Sequence, residues 1–208
     1  MTYHNKKKLR IAYFFEDIAH ENFIKAFTRR LIKENGLEIE VEDILTSRKG
    51  EYKKKFIEYL KECKKRNIFE YDIVILVHDA NCKGINEFKN MIQRYLDKHN
   101  YKFPIVWAIP DPYIERWYLL DKRAFLIAIQ GEKSPPELPY QCSKRYKSFY
   151  KEKLREAIHQ NDIEPIQGGA EYGELIAENI NYKEIAQRDK SFELFVNSLE
   201  DAKNFFKN

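Results

Sequence analysis

Tyr71-Asp72-Ile73-Val74-Ile75-Leu76-Val77-His78-Asp79-Ala80-Asn81-Cys82-Lys83-Gly84 is the stretch whose reading decides the fold. The run from Ile73 to Val77 is apolar throughout and mostly β-branched, the signature of a strand buried on both faces. It stops at an acid, passes a short polar turn with a glycine, and enters a helical pattern. In open α/β sheets ligands bind outside the carboxyl ends of the strands. Asp79 stands at such an end. Its competing role is to cap the following helix or order the turn.

Toward the N-terminus, Leu9 to Phe15 reads as a first strand ending in Glu16-Asp17, a second acidic strand end. Phe23, Ile24, Phe27 and Leu31 follow at helical spacing, closed by Asn35-Gly36. Leu37 to Val41 alternates and predicts a peripheral strand. Tyr52, Phe56, Tyr59/Leu60 and Cys63 form one face of a helix, with Lys53-Lys54-Lys55 read first as its solvated side. Toward the C-terminus, Ile85, Phe88, Met91/Ile92 and Tyr95/Leu96 mark a helix, and Pro104 to Ile109 a fourth strand. Asp111-Pro112 then opens a helix burying Ile114, Trp117, Tyr118, Phe125 and Ala128, with Asp111 as its cap. This βαβαβαβα order predicts an α/β, Rossmann-like core: a mainly parallel sheet of about four strands flanked by helices.

The three prolines between Gly131 and Pro139 end that pattern. Helical stretches follow near 143–160, 170–180 and 191–206, the last with Phe192, Phe195, Val196, Leu199 and Phe205/Phe206 needing cover. The expected organisation is an α/β domain over 1–130 and a helical extension over 131–208 packed on it.

The 208 residues, 43% hydrophobic and 34% charged, suit one good core under a highly charged surface. The formal net charge of +4 is too mild to establish a nucleic-acid partner. Cys63, Cys82 and Cys142 are odd in number and lack any CxxC, which suits neither a disulfide framework nor a zinc knuckle and fits a reducing cytoplasm. The absence of a long apolar run argues against a membrane span.

The first strand-to-helix turn, Glu16 to Glu21, has no glycine, which excludes the dinucleotide fingerprint, and no GxxxxGK[ST] or HExxH occurs. Two carboxylates about 4 Å apart at an effective dielectric of about 20 repel by roughly 4 kcal/mol. If Glu16 and Asp79 meet, one is protonated or a cation lies between them. Oxygen donors of this kind suit Mg²⁺ or Mn²⁺. Glu115, one turn into its helix, is within reach of the same crevice or else lies on a solvated face. His20 and His78 flank the acidic turns and read best as hydrogen-bonded structural groups. Gly168-Gly169 reads as a plain turn before an anion site.

A glutamate after the first strand with an Asp-x-Asp-like element after the third, here Glu16 and Asp79-Ala80-Asn81, resembles the TOPRIM (topoisomerase–primase) fold. The chain looks closest to small TOPRIM-like proteins related to the overcoming-lysogenisation-defect nucleases. Further matching stretches are His78 to Lys83, Ile114-Glu115-Arg116-Trp117-Tyr118-Leu119-Leu120-Asp121, Gly168-Gly169-Ala170-Glu171 and Ser191-Phe192-Glu193-Leu194-Phe195. Two positions depart from the pattern: Asp17 stands where a glycine usually follows the glutamate, and Asn81 replaces the second acid.

The resemblance implies a metal-dependent phosphodiesterase acting on nucleic acid, with an ABC-type ATPase partner in phage defence. Glu16 and Asp79 would hold the metal, Asn81 or Glu115 would complete the shell, and Lys83 would neutralise charge on the phosphate. Lys6, Lys7, Lys8, Lys53 and Lys54 are available as sequence-independent phosphate contacts. Two other expectations differ in class: a receiver-like phosphoacceptor domain using Asp79, and a degenerate TOPRIM subunit that binds without chemistry.

Overall fold

The computed structural model describes residues 8–34, 40–47, 51–66, 71–101, 105–140, 142 and 148–204. Four parallel strands, β1 (Lys8–Phe14), β2 (Glu40–Ser47), β3 (Ile73–Val77) and β4 (Ile105–Ala108), form one sheet in the order β2-β1-β3-β4. Helices α1 (Ile18–Glu34), α2 (Tyr52–Arg66) and α3 (Ile85–Lys98) are the crossovers. The chain moves one way from β1 to β2 and the other way from β2 to β3 and β4. Right-handed crossovers must then put α1 on one face and α2 and α3 on the other.

The strand residues divide accordingly. Ile11, Tyr13, Phe15, Ile73, Ile75 and Val77 pack on the α1 side, while Ala12, Phe14, Val74 and Leu76 pack against α2 and α3. Alternation with both faces apolar is why β3 reads as a continuous run. The second strand lies at the edge, as expected, but begins later than the alternation at Leu37 suggests. A register shift opposite Ile11/Ala12 gives β2 an extra residue, so its period is broken where the sequence was hardest to read. Leu37 itself, like Asn35, Gly36, Pro104, Phe205 and Phe206, lies outside the described residues.

The single helix expected after Asp111-Pro112 is two: α4 (Ile114–Leu119) and α5 (Lys122–Ile129). Asp111 is not the cap. Tyr113 precedes α4 in extended conformation, and the Asp111 carboxylate accepts the Tyr140 hydroxyl instead. The break comes at Asp121, whose Oδ1 accepts from the N–H groups of Arg123 and Ala124, both at 3.0 Å, and caps α5. Met91, predicted inward on α3, is exposed, leaving Phe88, Ile92 and Leu96 on the buried stripe.

Beyond the proline-containing loop come α6 (Phe149–His159), a 3₁₀ turn (Ala170–Tyr172), α7 (Gly173–Asn179), α8 (Tyr182–Arg188) and α9 (Lys190–Asn204). All contribute to the apolar cluster on the α1 face. Phe23, Phe27, Trp117, Phe192 and Phe195 meet there ring against ring, with Trp117 and Phe192 edge-on at 5.0 Å between centroids. The C-terminal segment thus completes the core that α1 and β1 begin. Its polar anchor is Ser191, whose Oγ accepts from Trp117 Nε1 at 2.8 Å and donates to Asp189.

Gly173 is set by a close approach. A Cβ there would stand 2.0 Å from the Tyr118 hydroxyl, which donates to the Ala19 carbonyl at 2.8 Å next to His20. Gly173→Ala is expected to cost about 1–3 kcal/mol, as forced overpacking does. Urea unfolding at unchanged m-value is the check; a midpoint equal to the parent's would show that α7 yields freely.

The cysteines correct the sequence reading. Cys82 and Cys142 form a disulfide with Cα atoms 5.2 Å apart across 60 residues of chain, and Cys63 is buried and takes no part in it. No short spacing announces this pair, because the fold brings the turn after β3 to the segment beyond α5. The compartment inferred from unpaired cysteines loses its basis with it. Among the described residues no helix is long and apolar enough to cross a membrane.

Candidate metal centre at the sheet edge

With β1 flanked by β2 on one side and β3 on the other, the crossover direction reverses between β1 and β3. That reversal opens the crevice where open α/β sheets bind ligands. Glu16 and Asp17 leave β1 there, and His78 and Asp79 leave β3. Glu16, His20 and Asp79 each offer one ligand atom, all within 4.8 Å of one another. The two acidic strand ends read from the sequence do meet.

His20, in the first turn of α1 and fully buried, joins the carboxylates. Its Nδ1 is 2.7 Å from Asp17 Oδ1 and its Nε2 is 2.9 Å from Asp79 Oδ1. Burial alone would pull the imidazole pKa down. The charge of Asp79 and the hydrogen bonds to Asp17 and Asp79 outweigh it and hold the ring protonated well above its ordinary range. The cation that neighbouring carboxylates demand is therefore supplied by the chain as the His20 imidazolium.

The acids differ in environment. Asp17 is pushed up by burial, but the hydrogen bond and charge of His20 hold it well below the usual carboxylate range. Its Oδ1 also accepts from the Ala19 N–H at 3.0 Å, capping α1. Asp79 is raised, because burial dominates and His20 offsets it only in part. Its Oδ1 accepts as well from the Ile114 N–H at 2.9 Å, which ties α4 to the end of β3. Glu16 is lowered: His78, by hydrogen bond and charge, outweighs burial. Glu16 Oε2 lies 2.8 Å from His78 Nδ1 and accepts the Asp79 N–H at 3.2 Å. The Tyr52 hydroxyl also contacts His78 Nδ1.

The other sequence candidates are placed as follows. Asn81, in the left-handed region at φ 51°, folds back so that its Nδ2 donates to its neighbour's carbonyl, Asp79 O, at 2.8 Å. Glu115 is buried on α4 but faces Lys151 at 3.6 Å. Lys83, in the turn before α3, pairs with Glu87 at 3.2 Å. Lys53 reaches the centre, with Nζ 3.4 Å from His78 Nε2 and over the Phe88 ring, whereas Lys54 is exposed beside Glu58. Lys8 opens β1, and Lys6 and Lys7 lie outside the described residues.

Sequence reasoning set His20 aside. The signal available was Asp17 and His20 spaced i, i+3 at a helix start, beside a strand-end acid. The Gly168-Gly169 stretch is a turn, as read, but a turn built around an anion. The Glu171 carboxylate accepts the N–H groups of Ile166, Gln167 and Gly169.

The donor set fits a divalent ion. Adjacent ligands on an ion with bonds of about 2.1 Å stand about 3 Å apart, and opposite ones about 4.2 Å. The 2.9 Å Nε2–Asp79 separation matches the first value, and a spread within 4.8 Å requires only slight contraction. Asp17 on Nδ1 would be the outer carboxylate that orients a metal-bound imidazole. An imidazole among two carboxylates shifts the expected preference from Mg²⁺ toward Mn²⁺.

Fold and site together define a doubly wound parallel α/β protein with an acid–histidine cluster at its switch point. No protein-family model matches the chain, and neither the curated proteins nor the solved structures contain a match.

Proposed function

We propose that this protein is a metal-dependent phosphodiesterase acting on nucleic acid, with one divalent ion held by Glu16, His20 and Asp79. The observation that carries the reading is their convergence within 4.8 Å at the carboxyl ends of β1 and β3. A bound ion there would polarise a phosphoryl oxygen and lower the pKa of a water ligand. The chain's own part is to hold the donors: Asp17 orients His20, His78 orients Glu16, and the Ile114 N–H orients Asp79. Lys53 stands beside this cluster as the cation nearest an incoming phosphate. Non-specific phosphate contacts make binding fall steeply between about 50 and 200 mM salt. An ABC-type ATPase partner belongs to the same reading through the TOPRIM resemblance alone.

A binding subunit without chemistry is the second reading. It is favoured by one fact: His20 Nε2 and Asp79 Oδ1 already bond each other, and Glu16 Oε2 already engages His78 and the Asp79 N–H. A phosphoacceptor role fits poorly, since Asp79 is buried with its Oδ1 doubly engaged.

The test is cleavage of DNA and RNA oligonucleotides, single-stranded and duplex, with Mn²⁺ and with EDTA. Cleavage is expected only with the metal, and none with Glu16→Gln. Absence of both cleavage and any Mn²⁺-dependent rise in unfolding temperature would leave the binding subunit as the answer.

A further inference from the structure

Helix α2 carries the whole positive excess of the chain. It has seven Lys or Arg against two Glu, an excess of five, where the complete chain has a formal net charge of +4. Charge gathered on one element in this way is the footprint of an anionic partner. Lys54, Lys55 and Arg66 are paired with Glu58, Glu51 and Glu62. Lys61 and Lys64 are exposed and have no ion-pair partner among the described residues.

The direction of this charge is fixed at both ends. Lys53, Ile57, Lys61 and Lys64 succeed one another at i, i+4 and i+3 steps, so they share one side of α2. At its start, Lys53 Nζ lies 3.4 Å from His78 Nε2 at the metal centre and 5.1 Å over the Phe88 ring of α3. At its end, about 16 Å along the helix axis, Lys64 Nζ lies 5.9 Å over the Tyr101 ring just beyond α3. The lysines therefore lead from the centre along the side of α2 that faces α3.

An apolar strip beside them distinguishes this side from a merely solvated one. Phe88, Met91 and Tyr95 recur at i, i+3 and i+7 on α3. Met91 is 44% exposed, and Tyr95 and Tyr101 are half-buried. The two tyrosine rings are nearly parallel, 17° or less apart in the stacked sense at 13°, with centroids 6.5 Å apart. Lysines alternating with half-exposed aromatic rings are what a single nucleic-acid strand requires: cations for its phosphates and flat faces for its unstacked bases. In a duplex those base faces are already covered.

We propose that the α2–α3 face is the entry track for a single nucleic-acid strand, with Lys61 and Lys64 on its phosphates and Tyr95 and Tyr101 against its bases, leading it to Lys53 at the metal centre. This rests on the nucleic-acid reading above and assigns the form of the substrate and its route.

The experiment measures binding of an oligonucleotide of about 12 nucleotides, within the usual range of site sizes, single-stranded and as duplex. EDTA is present, so that cleavage plays no part, and salt is varied. The parent is expected to bind the single strand about tenfold tighter than the duplex. Lys61→Gln with Lys64→Gln should weaken single-strand binding about tenfold and make its log–log salt dependence shallower by about 1.4, at about 0.7 for each phosphate contact. Lys183→Gln with Lys190→Gln, at exposed positions of α8 and α9, removes the same charge and should change neither. Tyr95→Leu with Tyr101→Leu should weaken the single strand about tenfold, the scale of one lost base–aromatic stack, and spare the duplex. The lysine pairs are exposed, so the test stands even if the tyrosine variants fail to fold. Equal losses from the two lysine pairs, or a duplex bound as tightly as the single strand, overturn the track, while Mn²⁺-dependent cleavage leaves the phosphodiesterase standing. Track-dependent binding without cleavage supports the track and removes the catalysis. Binding to phosphatidylserine vesicles in place of oligonucleotides, lost with Lys61 and Lys64, would make this a membrane-contacting face and overturn the proposal.

Discussion

His20→Leu is expected to lower the stability of the protein by about 3–5 kcal/mol, the cost of removing one member of a buried ion pair. At roughly 2–4 °C per kcal/mol for a chain of this size, the melting temperature should fall by about 10 °C. The cause is what remains behind: Asp79, 7% exposed, would lose its imidazolium with Glu16 still nearby. The deficit has a pH signature. The raised folded pKa of His20 gives stabilisation that is complete below its unfolded value of about 6.5 and fades as pH rises through the folded value. The lowered Asp17 gives stabilisation present above about 3.9 and lost as pH falls through its folded value. Parent and variant should therefore differ most between about pH 4 and 6.5. Denaturant midpoints across pH test this; a gap that widens toward alkaline pH would mean that His20 is neutral in the native protein.

Asp79→Asn should separate the metal from the fold. An amide oxygen at this position still accepts from the Ile114 N–H and from His20, and the charge repelled by Glu16 is gone. Without metal, the variant is expected to melt below the parent, because the buried His20 imidazolium loses the charge of Asp79 and keeps only that of Asp17. With Mn²⁺ at about 100 times its dissociation constant, the parent should gain roughly 2.7 kcal/mol and the variant almost nothing. Nucleic-acid cleavage should vanish with that response. Because Nε2 of His20 must give up a proton to a metal, apparent affinity should rise about tenfold per pH unit while the ring is mainly protonated. Calorimetric melts with Mn²⁺ at three pH values measure the metal response, and the oligonucleotide assay measures the cleavage. A metal response retained by the variant would place the ion elsewhere.

The parts of the structure legible in the sequence are those with a strong local period. The apolar run at Ile73–Val77 and the helical faces of α1, α2 and α3 locate the sheet, and the two acids that follow β1 and β3 locate its working edge. What escaped depends on distance along the chain. His20 and Asp79 are 59 residues apart, and a lone buried histidine looks the same whether it packs or bridges. Asp121 hid inside an apolar pattern that ran on through it, so one helix was read where two are joined.

The bond between Cys82 and Cys142 makes a ring out of α3, β4, α4 and α5. It starts three residues beyond Asp79 and includes the Ile114 N–H that holds this acid. The exposed proline-containing segment near Glu132–Glu137 lies inside the ring and is the natural place for a protease to cut. Such a cut would release no fragment, because the two halves would stay joined through sulfur. Nicked protein would run as one species until a thiol was added and as two afterwards, and the C-terminal helices would remain tethered to the turn that ends β3.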